Sequence, residues 1–191
     1  MLAPVNTALY GPTMTDPLSA QDWLDQGLKT LATRGFSALK AELLAKAMGV
    51  SRGSFYWHFT DIGAFHAAIL KHWHEIAAEA INAQVEAAAD LGEPLAVLLR
   101  QVFSERLALE RGVRSWAAFD AGARAAVQAI DRRRLDYVES LIRERGVTEE
   151  IAQARAQILY WAFLGYALSE KPLPKASREA MLTELIRIAV S

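Results

Sequence analysis

Side chains suited to nucleic-acid contact are concentrated near the amino end, in the segment Gly49 to Phe59, which reads GVSRGSFYWHF. This segment carries a guanidinium, hydroxyl groups, an indole and an imidazole, and it contains no acidic residue. Such groups donate hydrogen bonds to phosphate oxygens and to the edges of bases. The composition of the segment therefore indicates contact with DNA.

The surrounding sequence predicts two short helices that would present these groups. Apolar residues recur before the segment at three- and four-residue spacing, which is typical of an amphipathic helix. They are Leu39, Leu43, Leu44 and Ala47. Gly49 suits a left-handed turn at the end of this helix, and Ser51 suits the N-cap of the next one. We therefore predict a helix-turn-helix whose second helix fits the major groove of B-DNA.

Different positions of the second helix are expected to make different contacts. Arg52 and Ser54 lie in its first turn, where base edges are reached, whereas Tyr56 and His58 suit phosphate oxygens. The predicted DNA-binding residues are Lys40, Ser51, Arg52, Gly53, Ser54, Tyr56, Trp57 and His58.

The two phenylalanines of the segment have a different predicted role. Phe55 and Phe59 are four residues apart, so they are predicted to face the core together. The alternative interpretation is a helical hairpin whose aromatic residues only pack, because helix pairs joined by a glycine turn are common.

The segment Gly49 to Phe59 resembles the recognition-helix signature of the tetracycline-repressor (TetR) family of bacterial transcription regulators. Ser19 to Gly35 resembles the helix that precedes the motif in that family, so the resemblance covers about the first third of the chain. Two positions depart from the family pattern: Ile62 stands where a phosphate-contacting Lys is frequent, and Glu42 lies on the outer side of the first motif helix. Both departures predict fewer phosphate contacts, each worth about one unit of salt slope.

Composition excludes several classes of protein. With 191 residues, 52% of them hydrophobic, the chain can bury a sizeable core and is not a disordered tail. The net charge of −1 argues against a protein covered in basic charge, such as a histone-like binder. The absence of cysteine fits a cytoplasmic protein, and no apolar run reaches membrane-spanning length.

Periodicity and helix-breaking residues predict an all-α chain in three parts. Residues 1–17 contain three prolines and no basic residue, and are predicted to be a flexible arm. Residues 18–62 are the predicted DNA-binding domain, a three-helix helix-turn-helix unit. A long helix from Asp61 to about residue 89 joins it to residues 63–191, which the resemblance implies are a helical ligand-binding and dimerisation domain. Beyond the long helix, Gly112 is predicted to be a break, and helices are predicted over 95–110, 113–121, 124–145, 149–170 and 177–190.

The TetR resemblance implies a pocket for a small-molecule effector in the second domain. Aromatic side chains with a few polar groups are typical of such pockets. The candidate lining residues are Phe103, Trp116, Phe119, Tyr137 and Tyr160, with Arg100 or Arg106 as a polar contact. The alternative for each residue is an ordinary packed core.

A homodimer is expected because one recognition helix reads only a few base pairs, whereas two read a palindromic operator. The segment Ile158 to Leu168 is apolar on all sides, which predicts a partner subunit over one face. The resemblance implies a four-helix interface made by the last two helices. Its candidate residues are Ala154, Ile158, Trp161, Gly165 and Leu185.

No pattern in the sequence indicates catalysis, a cofactor or a metal site. His66, His72 and His74 lack the three- or four-residue spacing that would place them on one helix face. The run Arg132 to Arg134 splays around a helix and is predicted to be solvated. The expected function is a repressor released from DNA by a small molecule. A helical protein-binding adaptor and a helical enzyme remain the alternatives.

Overall fold

The helix boundaries of the computed structural model follow local capping signals in the sequence. The model describes residues 18–88, 93–103, 107–169, 171 and 173–190, so the predicted arm, residues 1–17, lies outside the described residues. The helices are α1 (Ala20–Arg34), α2 (Ala41–Met48), α3 (Arg52–Tyr56), α4 (Ile62–Ala88), α5 (Pro94–Val102), α6 (Ala108–Ala117), α7 (Ala121–Arg143), α8 (Glu149–Leu168) and α9 (Lys175–Val190). All regular structure in these ranges is helical, which confirms the predicted fold class.

Three helices begin at residues that favour helix starts. Ser19 caps α1 in a capping box with Asp22, whose carboxylate accepts from the Ser19 backbone N–H at 2.7 Å. Pro94 opens α5, and the Thr148 side chain caps α8. The hydrogen bonds from Ser19, first from its side chain and then from its backbone, lower the pKa of Asp22, so the capping carboxylate stays ionised.

The middle of the chain departs from the predicted boundaries. Periodicity predicted one helix over 95–110, but α5 ends at Val102 and α6 begins at Ala108. Gly112 is not a break, because it lies inside α6. The next helix begins at Ala121 rather than Arg124, because the Asp120 side chain accepts from the Ala123 backbone N–H at 2.7 Å.

The apolar side chains form two clusters. The first joins α1 to α4 with α6 and the amino-terminal half of α7, and its buried aromatic side chains are Trp23, Phe55, Phe59, Phe65, Trp73 and Trp116. The second joins α5, α8 and α9 with the carboxyl-terminal part of α7. The helix-turn-helix therefore shares its core with α6 and α7. Because this core is closely packed, displacement of either helix changes the packing of α1.

Gly112 allows α6 to lie unusually close to α1. A Cβ atom at this position would be 2.7 Å from the backbone carbonyl oxygen of Leu31 in α1. A backbone oxygen cannot rotate away as a flexible side chain can, so only glycine permits this helix spacing.

No helix in the described ranges has both the length and the apolar character needed to cross a membrane.

We predict that Gly112→Ala lowers the free energy of unfolding by about 1–3 kcal/mol, because the added methyl group forces α6 away from α1. Urea denaturation of the full chain would measure this loss. The matched control is Gly53→Ala, whose new Cβ would lie 3.6 Å from the Ser51 hydroxyl oxygen, an ordinary contact. Equal stability of Gly112→Ala and the unmodified chain would contradict the proposed constraint on helix spacing.

Candidate nucleic-acid interface and internal cavity

The turn between α2 and α3 has the predicted left-handed geometry. Gly49 has φ of 70° and ψ of 25°, a conformation that glycine adopts without steric cost. The backbone N–H of Val50 donates to the carbonyl of Ala45 at 3.0 Å, which closes the end of α2. The chain thus reverses sharply enough to present α3 beside α2.

Phe55 anchors α3 to the core. Its ring is fully buried and makes edge contacts with Trp23 at 5.3 Å and with Phe65 at 5.2 Å between centroids. Phe59 is also buried, and its ring packs on the rings of Phe55 and Phe65. The prediction that these two phenylalanines face inward is confirmed, and the rest of α3 consequently faces outward.

The outward surface of α3 carries the polar and aromatic side chains that the sequence singled out. Trp57 is 87% exposed, and Ser54 is half-buried. The other predicted DNA-binding residues are exposed, namely Lys40, Ser51, Arg52, Gly53, Tyr56 and His58. Lys40 lies at the N-cap position of α2, so all eight residues belong to the helix-turn-helix.

Arg52 and Tyr56 form a pair on the surface of α3. Arg52 Nη2 donates to the Tyr56 hydroxyl oxygen at 2.9 Å, and the guanidinium lies 5.5 Å from the centre of the Tyr56 ring. The hydrogen bond to Tyr56 is the main cause of a raised pKa for Arg52, and the charge of Glu42 adds to it. The guanidinium is therefore held over α3 as a cation.

Most acidic groups around this surface are engaged within the protein. Asp22 caps α1, and Asp61 accepts from the backbone N–H of Ala64 at 2.8 Å. Asp25 lies 3.1 Å from the His72 imidazole of α4. The basic side chains of the same region are exposed, namely Lys29, Arg34, Lys40 and Lys46. The surface thus offers cations to a polyanion, although Glu42 remains an exposed carboxylate among them.

A cavity of about 140 Å³ lies between α4, α5, α7 and α8. Three of the five predicted pocket residues line it, namely Phe103, Tyr137 and Tyr160. The structure places the other two elsewhere. Trp116 is buried in the first apolar cluster, 4.7 Å from the Phe36 ring, and Phe119 is 63% exposed at the end of α6.

The polar contact of the cavity also differs from the expectation. Arg100 is exposed and does not line the cavity, and Arg106 lies outside the described residues. Arg134 lines it instead, with its guanidinium 5.5 Å from the centre of the Phe163 ring. The prediction that the run of three arginines is solvated is therefore wrong for Arg134, because α7 turns this one side chain toward α6 and α8.

Arg134 belongs to a group of buried and half-buried polar side chains that we call the charge cluster, comprising Glu110, Arg114, Asp131, Arg134 and the Tyr160 hydroxyl. Glu110 is only 6% exposed. It accepts from Arg134 Nη1 and Nη2 at 2.9 and 3.2 Å and from Arg114 Nε at 2.8 Å. Arg114 donates to both oxygens of Asp131 at 3.0 and 2.5 Å. The Tyr160 hydroxyl donates to Asp131 at 2.6 Å, so the cluster connects α6, α7 and α8.

The surroundings of the charge cluster raise the pKa of three of its members, Arg114, Arg134 and Tyr160. Burial alone would lower the pKa of Arg114 and of Arg134. The neighbouring groups together outweigh burial and raise the pKa of both, with the hydrogen bond to Asp131 contributing most for Arg114 and the charge of Glu110 contributing most for Arg134. Burial and the hydrogen bond to Asp131 raise the pKa of Tyr160, so its hydroxyl stays protonated and donates.

The predicted dimer residues divide between surface and core. Ala154, Ile158, Trp161 and Gly165 all lie on the exposed face of α8, and Trp161 is 64% exposed. Leu185 does not share this surface, because it is 7% exposed and packs inside the second apolar cluster. Amphipathic spacing in α9 identified an apolar face correctly, but that face covers the core of the same protomer.

Two of the histidines of α4, His66 and His72, contact other segments of the chain. His66 Nε2 lies 3.0 Å from the backbone carbonyl oxygen of Leu39, and His72 pairs with Asp25 and Gln21. Among the residues that the structure describes, no group of His, Cys, Asp and Glu side chains has the arrangement of a metal site.

Sequence comparison matches residues 24–69, from α1 into α4, to the family of bacterial regulatory proteins described as the tetR family. This range contains α2, the Gly49 turn and α3. Comparison with curated protein sequences gave no match.

Solved structures share the fold over nearly their whole length. A candidate transcriptional regulator of Saccharomonospora viridis in complex with choline has a TM-score of 0.69 at 14% identity, covering 88% of this chain and 95% of that one. A candidate TetR-family transcriptional regulator of a Rhodococcus species has a TM-score of 0.63 at 16% identity, covering 90% and 98%. The multidrug binding protein EbrR, complexed with malachite green, has a TM-score of 0.62 at 20% identity, covering 90% and 98%.

The TM-scores of these structures establish likeness of fold at low sequence identity. The matched segment establishes likeness of sequence in the helix-turn-helix. The predicted resemblance is thereby confirmed: residues 24–69 match the tetR family of bacterial regulatory proteins, and the chain has the fold of TetR-family transcriptional regulators.

Proposed function

We propose that this protein is a homodimeric repressor that binds a palindromic DNA operator and is released from it by a small molecule. The observation that carries the proposal is the outward surface of α3, where Arg52, Tyr56, Trp57 and His58 are exposed while Phe55 fixes the helix to the core. This surface combines an indole, a guanidinium and an imidazole, groups that make apolar contacts and donate hydrogen bonds to phosphates and to base edges in the major groove of DNA.

In the proposed complex, residues 18–62 act as the DNA-binding domain and residues 63–191 as the ligand-binding and dimerisation domain. Arg52 reaches base edges, and Tyr56 and His58 bind phosphate oxygens, which fix the register of α3 in the major groove. Because Arg52 is already held by Tyr56 at 2.9 Å, the two side chains are ordered before DNA arrives. Less side-chain entropy is then lost on binding.

The proposed dimer forms through the outward face of α8. Ala154, Ile158, Trp161 and Gly165 follow one another at four-, three- and four-residue spacing and are all exposed. A symmetric interface needs one surface that complements itself, and an apolar stripe along a single helix satisfies this requirement. At Gly165 a Cβ atom would meet nothing within 4 Å, so this position leaves room for close approach of a second helix. Leu185 is not part of the proposed interface.

Effector binding is proposed at the internal cavity. Two proteins of the same fold have been crystallised with small molecules, choline in one and malachite green in the other. In this chain the cavity is bounded by α4, which begins directly after the helix-turn-helix, and by α7, which packs on the same core. A ligand that prefers a different spacing of the two DNA-binding units weakens DNA affinity by its differential binding energy, typically about 1–3 kcal/mol.

The exposed apolar stripe on α8 also favours one alternative, a helical adaptor that binds another protein through this face. A gel-shift titration with the DNA upstream of the protein's own gene, at two salt concentrations, separates the two functions. Saturable binding that weakens at higher salt supports the regulator. Absence of salt-dependent DNA binding would favour the adaptor.

We predict that Arg52→Ala changes base preference, whereas His58→Ala weakens binding to all sequences similarly. A lost base contact costs about 1–3 kcal/mol at one position of the site, but a lost phosphate contact reduces the salt slope by about one unit. Selection from a random DNA library, followed by titration at several salt concentrations, measures both effects. Arg132→Ala, which removes an exposed arginine of α7, is the control. Unchanged base preference in Arg52→Ala would refute the assigned role of Arg52.

We predict that Trp161→Arg produces monomers and lowers DNA affinity, because two cations and their hydration shells would face each other across the proposed symmetry axis. Trp161 is exposed within the protomer, so the substitution leaves the protomer core intact. Sedimentation velocity measures the oligomeric state. The control is Phe119→Arg, which changes a similarly exposed aromatic residue just after α6 and should leave the dimer unchanged. A Trp161→Arg dimer would exclude this face of α8 as the subunit interface.

A further inference from the structure

The charge cluster forms one corner of an otherwise apolar cavity. Most described lining residues are aliphatic or aromatic, and the polar groups among them are Arg134, Tyr137 and Tyr160. Arg134 and Tyr160 are also members of the charge cluster, so a ligand in the cavity meets the cluster directly. The cavity volume of about 140 Å³ is similar to that of a cavity able to hold a benzene molecule.

The charges of the cluster are balanced. Two guanidiniums, Arg114 and Arg134, face two carboxylates, Glu110 and Asp131, at hydrogen-bonding distances. A buried charge without a partner is strongly destabilising, whereas a hydrogen-bonded balanced set is tolerated. Any charged group that a ligand brings to this corner would disturb that balance.

We propose that the charge cluster makes this cavity selective for uncharged ligands: compact, mostly apolar molecules with one hydrogen-bond acceptor that accepts from Arg134. The name effector for such a molecule rests on the proposed function, but the selectivity of the cavity does not.

A cation is disfavoured by the lining itself. Among the described lining residues the only charged side chain is Arg134, and its guanidinium already occupies the Phe163 ring at 5.5 Å. Aromatic rings bind organic cations when their faces are accessible and no positive charge competes. Here the guanidinium takes one such face and repels a second cation.

An anion is disfavoured by what lies behind the lining. The two carboxylate oxygens of Glu110 accept from Arg134, so a ligand carboxylate must compete with Glu110 for the guanidinium. The carboxylate that does not bind the Arg134 guanidinium is then buried without an equal opposite charge, which is destabilising. An uncharged acceptor such as a carbonyl can receive a hydrogen bond from the guanidinium without displacing Glu110, since a guanidinium carries five N–H donors.

The position of the cluster also gives the ligand a route to the DNA-binding helices. Glu110 and Arg114 lie in α6, and α6 approaches α1 at Gly112 so closely that a Cβ would meet the Leu31 carbonyl oxygen at 2.7 Å. A ligand that shifts Arg134 changes the hydrogen bonds that fix α6. Displacement of α6 then shifts α1, because the two backbones are in direct contact at Gly112 and Leu31.

The experiment compares four probes of similar size on the full-length protein: acetophenone as the uncharged acceptor, ethylbenzene without an acceptor, benzoate as the anion and benzylammonium as the cation. Isothermal titration calorimetry at pH 7.5 measures each affinity. We expect acetophenone to bind roughly tenfold or more tightly than benzoate and benzylammonium, and several-fold more tightly than ethylbenzene. Equal binding of either charged probe, or no saturable binding of any probe at millimolar concentration, would overturn the proposal.

Two variants change the charge of the cluster by one unit from different sides. Glu110→Gln and Asp131→Asn each remove one negative charge, so either variant should bind benzoate roughly tenfold better relative to acetophenone, with no gain for benzylammonium. Asp131 is the less buried of the two, so Asp131→Asn provides the test if Glu110→Gln does not fold. Glu75→Gln removes an exposed carboxylate that pairs with Lys71 at 3.8 Å, and it should leave the ranking unchanged. An unaltered ranking in a folded cluster variant contradicts the proposal.

Gel shifts with the same protein preparations keep this test separate from the proposed function. If the protein binds no DNA, the regulator proposal fails while the ligand ranking still decides the selectivity of the cavity. If DNA binding is present but the charged probes bind as well as acetophenone, only the selectivity proposal fails.

Discussion

Four charged side chains where α6, α7 and α8 meet, one of them buried and three half-buried, hold the two apolar clusters of this protein in a fixed relation together with one tyrosine hydroxyl. Apolar packing has little directional preference, so helices in contact through leucine and alanine alone can slide or rotate at small cost. The bidentate pair between Arg114 and Asp131, and the pair between Arg134 and Glu110, allow only one register of α6 on α7. Removal of Glu110 would leave Arg134 without its carboxylate, and removal of Arg114 would leave Asp131 without its cation, so the pairs depend on one another.

The helix-turn-helix depends on this arrangement through α6. Its own residues do not make a separate core, since Trp23 and Phe55 belong to a cluster that includes Val113 and Trp116 of α6. The orientation of the outward surface of α3 is therefore determined in part by helices outside the motif. The domain boundary predicted at residue 62 stays a prediction about function. The first apolar cluster contains residues from both sides of this boundary.

Local signals in the sequence predicted the geometry of the helix-turn-helix well, because their effect is confined to a few residues. The left-handed turn at Gly49 and the inward direction of Phe55 depend on backbone sterics and helical spacing, both of which are visible in the printed sequence. The inward direction of Arg134 was not predictable, because its partner Glu110 is 24 residues away and the pairing requires the fold. Leu185 shows the same limit: spacing identifies an apolar face, but only packing decides whether its own protomer covers that face.

The position of α8 joins the two proposed activities of the second domain. Tyr160 and Phe163 line the cavity from one side of this helix, while Ile158 and Trp161 are exposed on the other side. Adjacent residues of a single helix thus meet the ligand and the proposed partner subunit. A helix moves as a rigid element, so a ligand that displaces Tyr160 also displaces Trp161. In a symmetric dimer formed through this face, occupation of one cavity would alter the interface against which the second α8 packs, and the two cavities would not bind independently.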